Sequence, residues 1–202
     1  LRSRDAAAIG ALLSRHRDPT RGAIRAGGSD ISKIPLADLP AHLTVVDTER
    51  PWLLSGTLLD NLRLAHPQAT AEQALEALRA AGADDVLDRP DALERPIGER
   101  GLRLSGGQRQ RVAIAQALLA RTAALVILEP TSALDAVTEA TVVERLQAID
   151  RPATLILTTS PPLLAACGRV SFVHDGRIRA TASHPELISS DELYRDLMGG
   201  GR

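Results

Sequence analysis

Leu104-Ser105-Gly106-Gly107-Gln108-Arg109-Gln110-Arg111, running directly into the apolar-rich stretch from Val112 to Ala120, decides how this chain is read. A Ser-Gly-Gly turn that opens a helix leaves several backbone N–H groups without intrahelical partners, at the positive end of the helix dipole. Such a turn suits a phosphate. Gly106 and Gly107 carry no Cβ, so a nucleotide can approach the backbone closely.

Working outward, periodicity and breakers predict an α/β chain. Leu125–Leu128 and Thr154–Thr158 are unbroken apolar or β-branched runs, as expected of central parallel strands, with a helix from Asp135 to Ile149 between them. Upstream, Asp5 is placed to cap a helix from Ala6 to Ser14, Gly22 to Ser29 reads as a hairpin, and Thr44–Asp47 as a short buried strand. Thr70 caps a predicted helix within Ala69–Leu87, whose apolar positions are Ala74, Leu75, Leu78 and Val86. Arg95 to Gly101 is a Gly/Pro loop just before the quoted stretch. Val170–Val173, the turn Asp175-Gly176 and Arg177–Ala182 form a hairpin, and a last helix runs from His184 to about Met198.

Composition narrows the function classes. A chain of 202 residues fits one domain, or one with a small subdomain, and buries a real core. Aromatics make up 1% against 44% hydrophobic residues overall, so that core must be aliphatic. The net charge of −1, without a basic tail, gives no reason to expect a nucleic-acid partner. A single cysteine, Cys167, cannot form an internal disulfide and fits a reducing cytosol. No apolar run approaches the roughly 20 residues needed to cross a bilayer, and the charged N-terminus does not read as a signal peptide. The chain is expected to be soluble by itself.

Together with Glu129-Pro130-Thr131-Ser132-Ala133-Leu134-Asp135 downstream, the quoted stretch resembles the ATP-binding cassette (ABC) ATPases, at their signature motif and D-loop. The resemblance implies a P-loop NTPase-like, RecA-type α/β core with a mostly parallel sheet, a small antiparallel β part and a helical signature subdomain. It runs over residues 1–190, with the helical subdomain at about 66–122 and residues 191–202 as a C-terminal helix and tail. It also implies that Leu104, Ser105, Gly106, Gly107 and Gln108 contact ATP bound by a partner. Ser132, Ala133, Leu134 and Asp135 form the D-loop, and Glu129 matches the catalytic base.

The chain departs from that family where its own ATP would sit. No G-x-x-x-x-G-K-[ST] motif occurs, and the one lysine, Lys33, lies in a loop-like Ser-Lys-Ile-Pro context. Counting back from Asp18-Pro19-Thr20-Arg21-Gly22, which resembles the family's turn after the P-loop helix, places the P-loop near residues 1–8. Ala6 then falls at the phosphate lysine and Ala7 at the Mg²⁺ hydroxyl, while Asp5 replaces the last glycine. Leu128 stands at the Mg²⁺-associated Asp and has no oxygen to offer a hard cation. Thr159 occupies the switch histidine's slot, and Glu49 the Q-loop glutamine's. Under this reading Glu129 is vestigial, because one carboxylate without a clamped phosphate has nothing to work on. No protein metal ligand is expected.

Two segments resemble the exporter branch of the family: Pro96-Ile97-Gly98-Glu99-Arg100-Gly101, the loop facing the transmembrane coupling helices, and Leu53-Leu54-Ser55-Gly56-Thr57-Leu58-Leu59-Asp60-Asn61. The family pairs its domains head to tail, so each ATP lies between one P-loop and the other signature motif. An intact signature beside a degenerate P-loop implies a heterodimeric exporter. ATP and Mg²⁺ would be held mainly by a second nucleotide-binding domain. The chain would work at the cytoplasmic face of the membrane beneath a transmembrane domain, hydrolysing ATP only in complex with a competent partner. The alternatives are a non-catalytic remnant of a longer protein and a regulatory or scaffold ABC protein without transport.

Overall fold

The computed structural model describes residues 3–120, 122–148 and 153–199. A helix α1 (Ser3–Leu13) is followed by a two-residue hairpin, β1 (Arg25–Ala26) and β2 (Ser29–Asp30), which turns through Gly27-Gly28, both at positive φ. After a short α2 (Leu39–His42) comes β3 (Leu43–Asp47), then α3 (Leu58–Arg63) and α4 (Ala71–Ala80). The quoted stretch forms the start of α5 (Gly106–Leu119) and leads into β4 (Ala124–Leu128). Next are α6 (Ala136–Ala148), β5 (Ala153–Leu157), α7 (Pro161–Ala166), β6 (Val170–His174), β7 (Arg177–Ala182), α8 (His184–Ser190) and α9 (Glu192–Gly199).

The three longer-range strands are parallel, in the order β3-β4-β5, with Asp47, Leu128 and Leu157 in register at their C-terminal ends. Parallel strands need crossovers, and helices supply them. β4 is apolar throughout and buried from Leu125 onward, as a central strand should be. α1 lies against β3 and β4. α3, α4, α5 and α6 share a second, larger aliphatic cluster built on Leu58, Leu62, Leu78, Ile114 and Val142. β6 and β7 pair antiparallel, with a bulge at Phe172/Val173, and pack with α8 and α9 around Phe172, Leu187 and Tyr194.

Several local expectations are corrected. Helix α1 already begins at Ser3, so Asp5 lies inside its first turn, where its charge favours the helix dipole, and is not the residue before the helix. The helix expected to run to Leu87 stops at Ala80: Gly82 (φ +71°) turns the chain, and a 3₁₀ turn over Asp84–Leu87 follows. β5 is an edge strand, exposed from Ala153 to Leu155. β3 is fully buried only at Leu43. The last helix is two, broken at Asp191 (φ −120°, ψ 109°), whose carboxylate accepts the Tyr194 N–H and pairs with Arg179. Leu1 and Arg2 of the expected P-loop segment, the expected helix end at Ile149 and residues 200–202 of the tail lie outside the described residues.

Candidate functional site

The signature turn is a closed capping box. Ser105 Oγ accepts the Gln108 N–H at 3.1 Å, and Gln108 Oε1 accepts the Ser105 N–H at 2.9 Å. Arg109 N–H returns to Ser105 O. Among the described residues this leaves the Gly106 and Gly107 N–H groups, with the Ser105 hydroxyl proton, free to donate. Gly106 is exposed, and a Cβ built on it meets nothing within 4 Å. Gly107 faces inward: its Cβ would stand 3.1 Å from Leu134 Cδ2 and 3.4 Å from Ala133 O. The signature turn and the D-loop therefore touch.

Gln110 makes that contact firm. It is 1% exposed, and its Nε2 lies 2.9 Å from Glu129 O, 3.0 Å from Ser132 Oγ and 3.2 Å from Thr48 Oγ1. Its Oε1 accepts the Ala133 N–H at 3.1 Å. Buried Thr48 donates to the backbone oxygens of Leu128 and Glu129. Asp135 caps α6 by accepting from Val137 N, Thr138 N and the Thr138 hydroxyl, and these bonds, the hydroxyl's first, hold its carboxyl below the usual range.

Glu129 sits at the end of β4 with φ +46°, a left-handed conformation that costs a non-glycine residue on the order of 1 kcal/mol or more. Four contacts impose it: Glu129 N–H to Leu157 O at 2.8 Å, and Thr48, Gln110 and Ser132 onto Glu129 O. The carboxylate turns toward Thr159, whose N–H it accepts at 3.4 Å. Burial raises its pKa, and the Glu49 charge adds to this, while the Thr159 N–H and Thr158 hydroxyl bonds oppose it. Glu49 and Thr159 are both exposed.

The opposite face of β4 is apolar. Leu128 is 4% exposed and shares a cluster with Ala6, Val126 and Leu157. A Cβ on Gly10 would stand 2.7 Å from Leu128 Cδ2, so α1 lies directly on the leucine. Ala6 is buried within that helix and Ala7 points a methyl to solvent. These groups offer neither oxygen nor positive charge, so they do not fit a Mg²⁺–phosphate. Among the described residues, no group of three or more His, Cys, Asp or Glu side chains is placed to hold a metal ion.

Gln110, Thr48, Asp85 and Arg111 belong to the site's framework, and motif reading passes over them. Gln110 and Arg111 had a signal: two polar residues entering the buried side of an otherwise apolar helix. Thr48 and Asp85 had none, because their partners are 80 and 26 residues away in sequence.

A parallel sheet with an acidic loop at its strand ends, beside an open helix N-terminus, defines a nucleotide-binding domain of the P-loop NTPase fold. The chain belongs to the ABC transporter family, whose model matches residues 8–132. It is 37% identical over 192 residues to the multidrug efflux ATP-binding/permease protein of Mycobacterium bovis, covering 94% of this chain and 16% of that protein. It is 38% identical over 182 residues to the mycobactin import ATP-binding/permease protein IrtB of the same species, covering 89% and 31%. The ATP-dependent lipid A-core flippase of Chromobacterium violaceum is 34% identical over 191 residues, 94% and 32% of the two chains. The solved structure of a bacterial Atm1-family ABC exporter with ATP bound superposes with a TM-score of 0.87 at 30% identity, over 96% of this chain and 34% of that one. The chain thus spans between 16% and 34% of the length of these relatives.

Proposed function

We propose that this chain is the nucleotide-binding half of an ABC exporter whose own ATP face is closed and whose signature face completes the ATP site of a second nucleotide-binding domain. One contrast carries the reading: Leu128 is packed against α1 where a Mg²⁺-associated carboxylate belongs, while the Ser105–Gly107 donors at the start of α5 stand open. ATP and Mg²⁺ are then held mainly by the partner, and Ser105, Gly106 and Gly107 supply preorganised donors to its phosphate. Leu104 and Gln108 shape that turn. The D-loop residues Ser132, Ala133, Leu134 and Asp135 face the same junction. Glu129, flanked by Glu49 and Thr159 and backed by the apolar face of Ala6, Ala7 and Leu128, is vestigial as a base.

The nucleotide-binding domain takes in residues 1–190, with the helical subdomain at about 66–122 and a C-terminal helix and tail over 191–202. A transmembrane domain is the second partner. Exposed apolar side chains lie within and immediately beside the two exporter-like segments, Leu54 inside the first, Trp52 (78% exposed) just before it and Leu102 (74%) just after the second, and Leu53 packs on Gly101 to join them. Docking there places the chain at the cytoplasmic face of the membrane. No described helix is long and apolar enough to cross a bilayer.

The test is ATP turnover by the complex purified through a tag on this chain. Gly106→Asp leaves the chain folded, because the added side chain meets open space, and lowers turnover by about a hundredfold, the usual effect of losing one such donor. Unchanged turnover removes the trans-acting role.

A further inference from the structure

The 3₁₀ turn Asp84–Leu87 reaches the signature helix through Asp85. Both carboxylate oxygens of Asp85 lie 2.6 Å from Arg111 Nη2, and Oδ2 also accepts Gln108 Nε2 at 3.1 Å. Gln108 uses its other end on Ser105 N–H. We propose that Asp85 is a positioning residue for the signature turn, holding Gln108 and Arg111 so that the capping box closes and the Gly106 and Gly107 donors face outward. This rests on the trans-acting reading above.

The chemistry of the groups fixes the arrangement. A carboxylate only accepts hydrogen bonds, whereas a carboxamide has one accepting and one donating end on a broad terminal torsion. With Asp85 in place, Gln108 must turn its nitrogen to Asp85, which leaves its oxygen for Ser105 N–H. Without that charge the amide is free to flip and present a donor to a donor. Arg111 gives the second hold. Its side chain is 7% exposed, and a cation so buried needs a paired, hydrogen-bonded anion. Its Nη1 lies 3.3 Å from the place of a Gly107 Cβ, directly beneath the turn. A guanidinium released from Asp85 would press on the backbone that carries the phosphate donors. The neighbouring Asp84 points elsewhere, pairing with Arg145 of α6, and so provides a built-in control.

In the isolated chain, Asp85→Ala should speed amide hydrogen exchange at Ser105 and Gln108 roughly fivefold, the usual worth of a capping bond, and Asp84→Ala should not. In the tag-purified complex, Asp85→Ala and Gln108→Ala should each lower kcat roughly tenfold, and the double variant should fall within about twofold of the worse single, because both break one relay. Asp84→Ala should lower the melting temperature and leave kcat unchanged. Effects of Asp85→Ala and Gln108→Ala that multiply, or an Asp84→Ala defect as large as that of Asp85→Ala, overturn the positioning role while leaving the trans-acting reading intact. Normal turnover by Gly106→Asp removes that reading, and this proposal with it.

Discussion

Leu128 and Gly10 offer a direct probe of the closed face. Leu128→Ala removes a nearly fully buried side chain, and such truncations cost about 2–5 kcal/mol, transfer plus cavity. With a urea m-value of about 2 kcal/mol/M, a 3 kcal/mol loss moves the unfolding midpoint down by about 1.5 M. Gly10→Ala gains about 1 kcal/mol of helix propensity but drives its methyl to 2.7 Å from Leu128 Cδ2, an overpacking cost of about 1–3 kcal/mol. Alone it is neutral to destabilising. In the Leu128→Ala background the obstructing methyl is gone, so the same change keeps its propensity gain and fills part of the cavity. Gly10→Ala should then stabilise, and the cycle should show a coupling of about 2–3 kcal/mol. Urea melts of the four proteins, followed by far-UV circular dichroism, measure it. If Gly10→Ala has the same effect in both backgrounds, α1 does not rest on Leu128, and the face is not closed in the way described.

Two further outcomes follow from the loop after β4. Glu129 has a raised pKa in the folded chain, so the unfolded chain gives up its proton first and stability falls as pH rises from the ordinary glutamate range through the raised value. Glu129→Gln should therefore match wild type in acid and become the more stable protein toward neutral pH; a pH-independent difference in melting temperature contradicts this. Gln110→Ala should cost about 2–4 kcal/mol by leaving a cavity in place of a nearly fully buried side chain and the Ala133 N–H without its partner, and a loss below about 0.5 kcal/mol by urea titration would show that the D-loop is held otherwise.

The parallel strands and the signature helix are legible in the sequence because their signals are local: unbroken β-branched runs, and Ser-Gly-Gly-Gln before an apolar stretch. That Leu128, Ala6 and Ala7 are apolar is legible too, since it needs only the sequence. What the apolar residues do there is not, because Gly10 meets Leu128 across 118 residues of chain. Helix ends are harder to place. Gly82 ends α4 through its positive φ and its close approach to Val142, a contact that no local pattern announces. Asp191 breaks the last helix because Arg179, from β7, holds its carboxylate. The Asp85–Gln108–Ser105 relay is invisible for the same reason: each residue is ordinary alone, and only the fold brings the three together.

Single-turnover ATP cleavage by the purified complex tests the central claim most directly, comparing Glu129→Gln in this chain with the matching change of the catalytic base in the partner domain. A closed face here and a working face completed by Ser105–Gly107 predict near wild-type cleavage for Glu129→Gln and a stalled complex for the partner variant. Equal losses in the two complexes would mean that both faces perform chemistry, and would contradict the account.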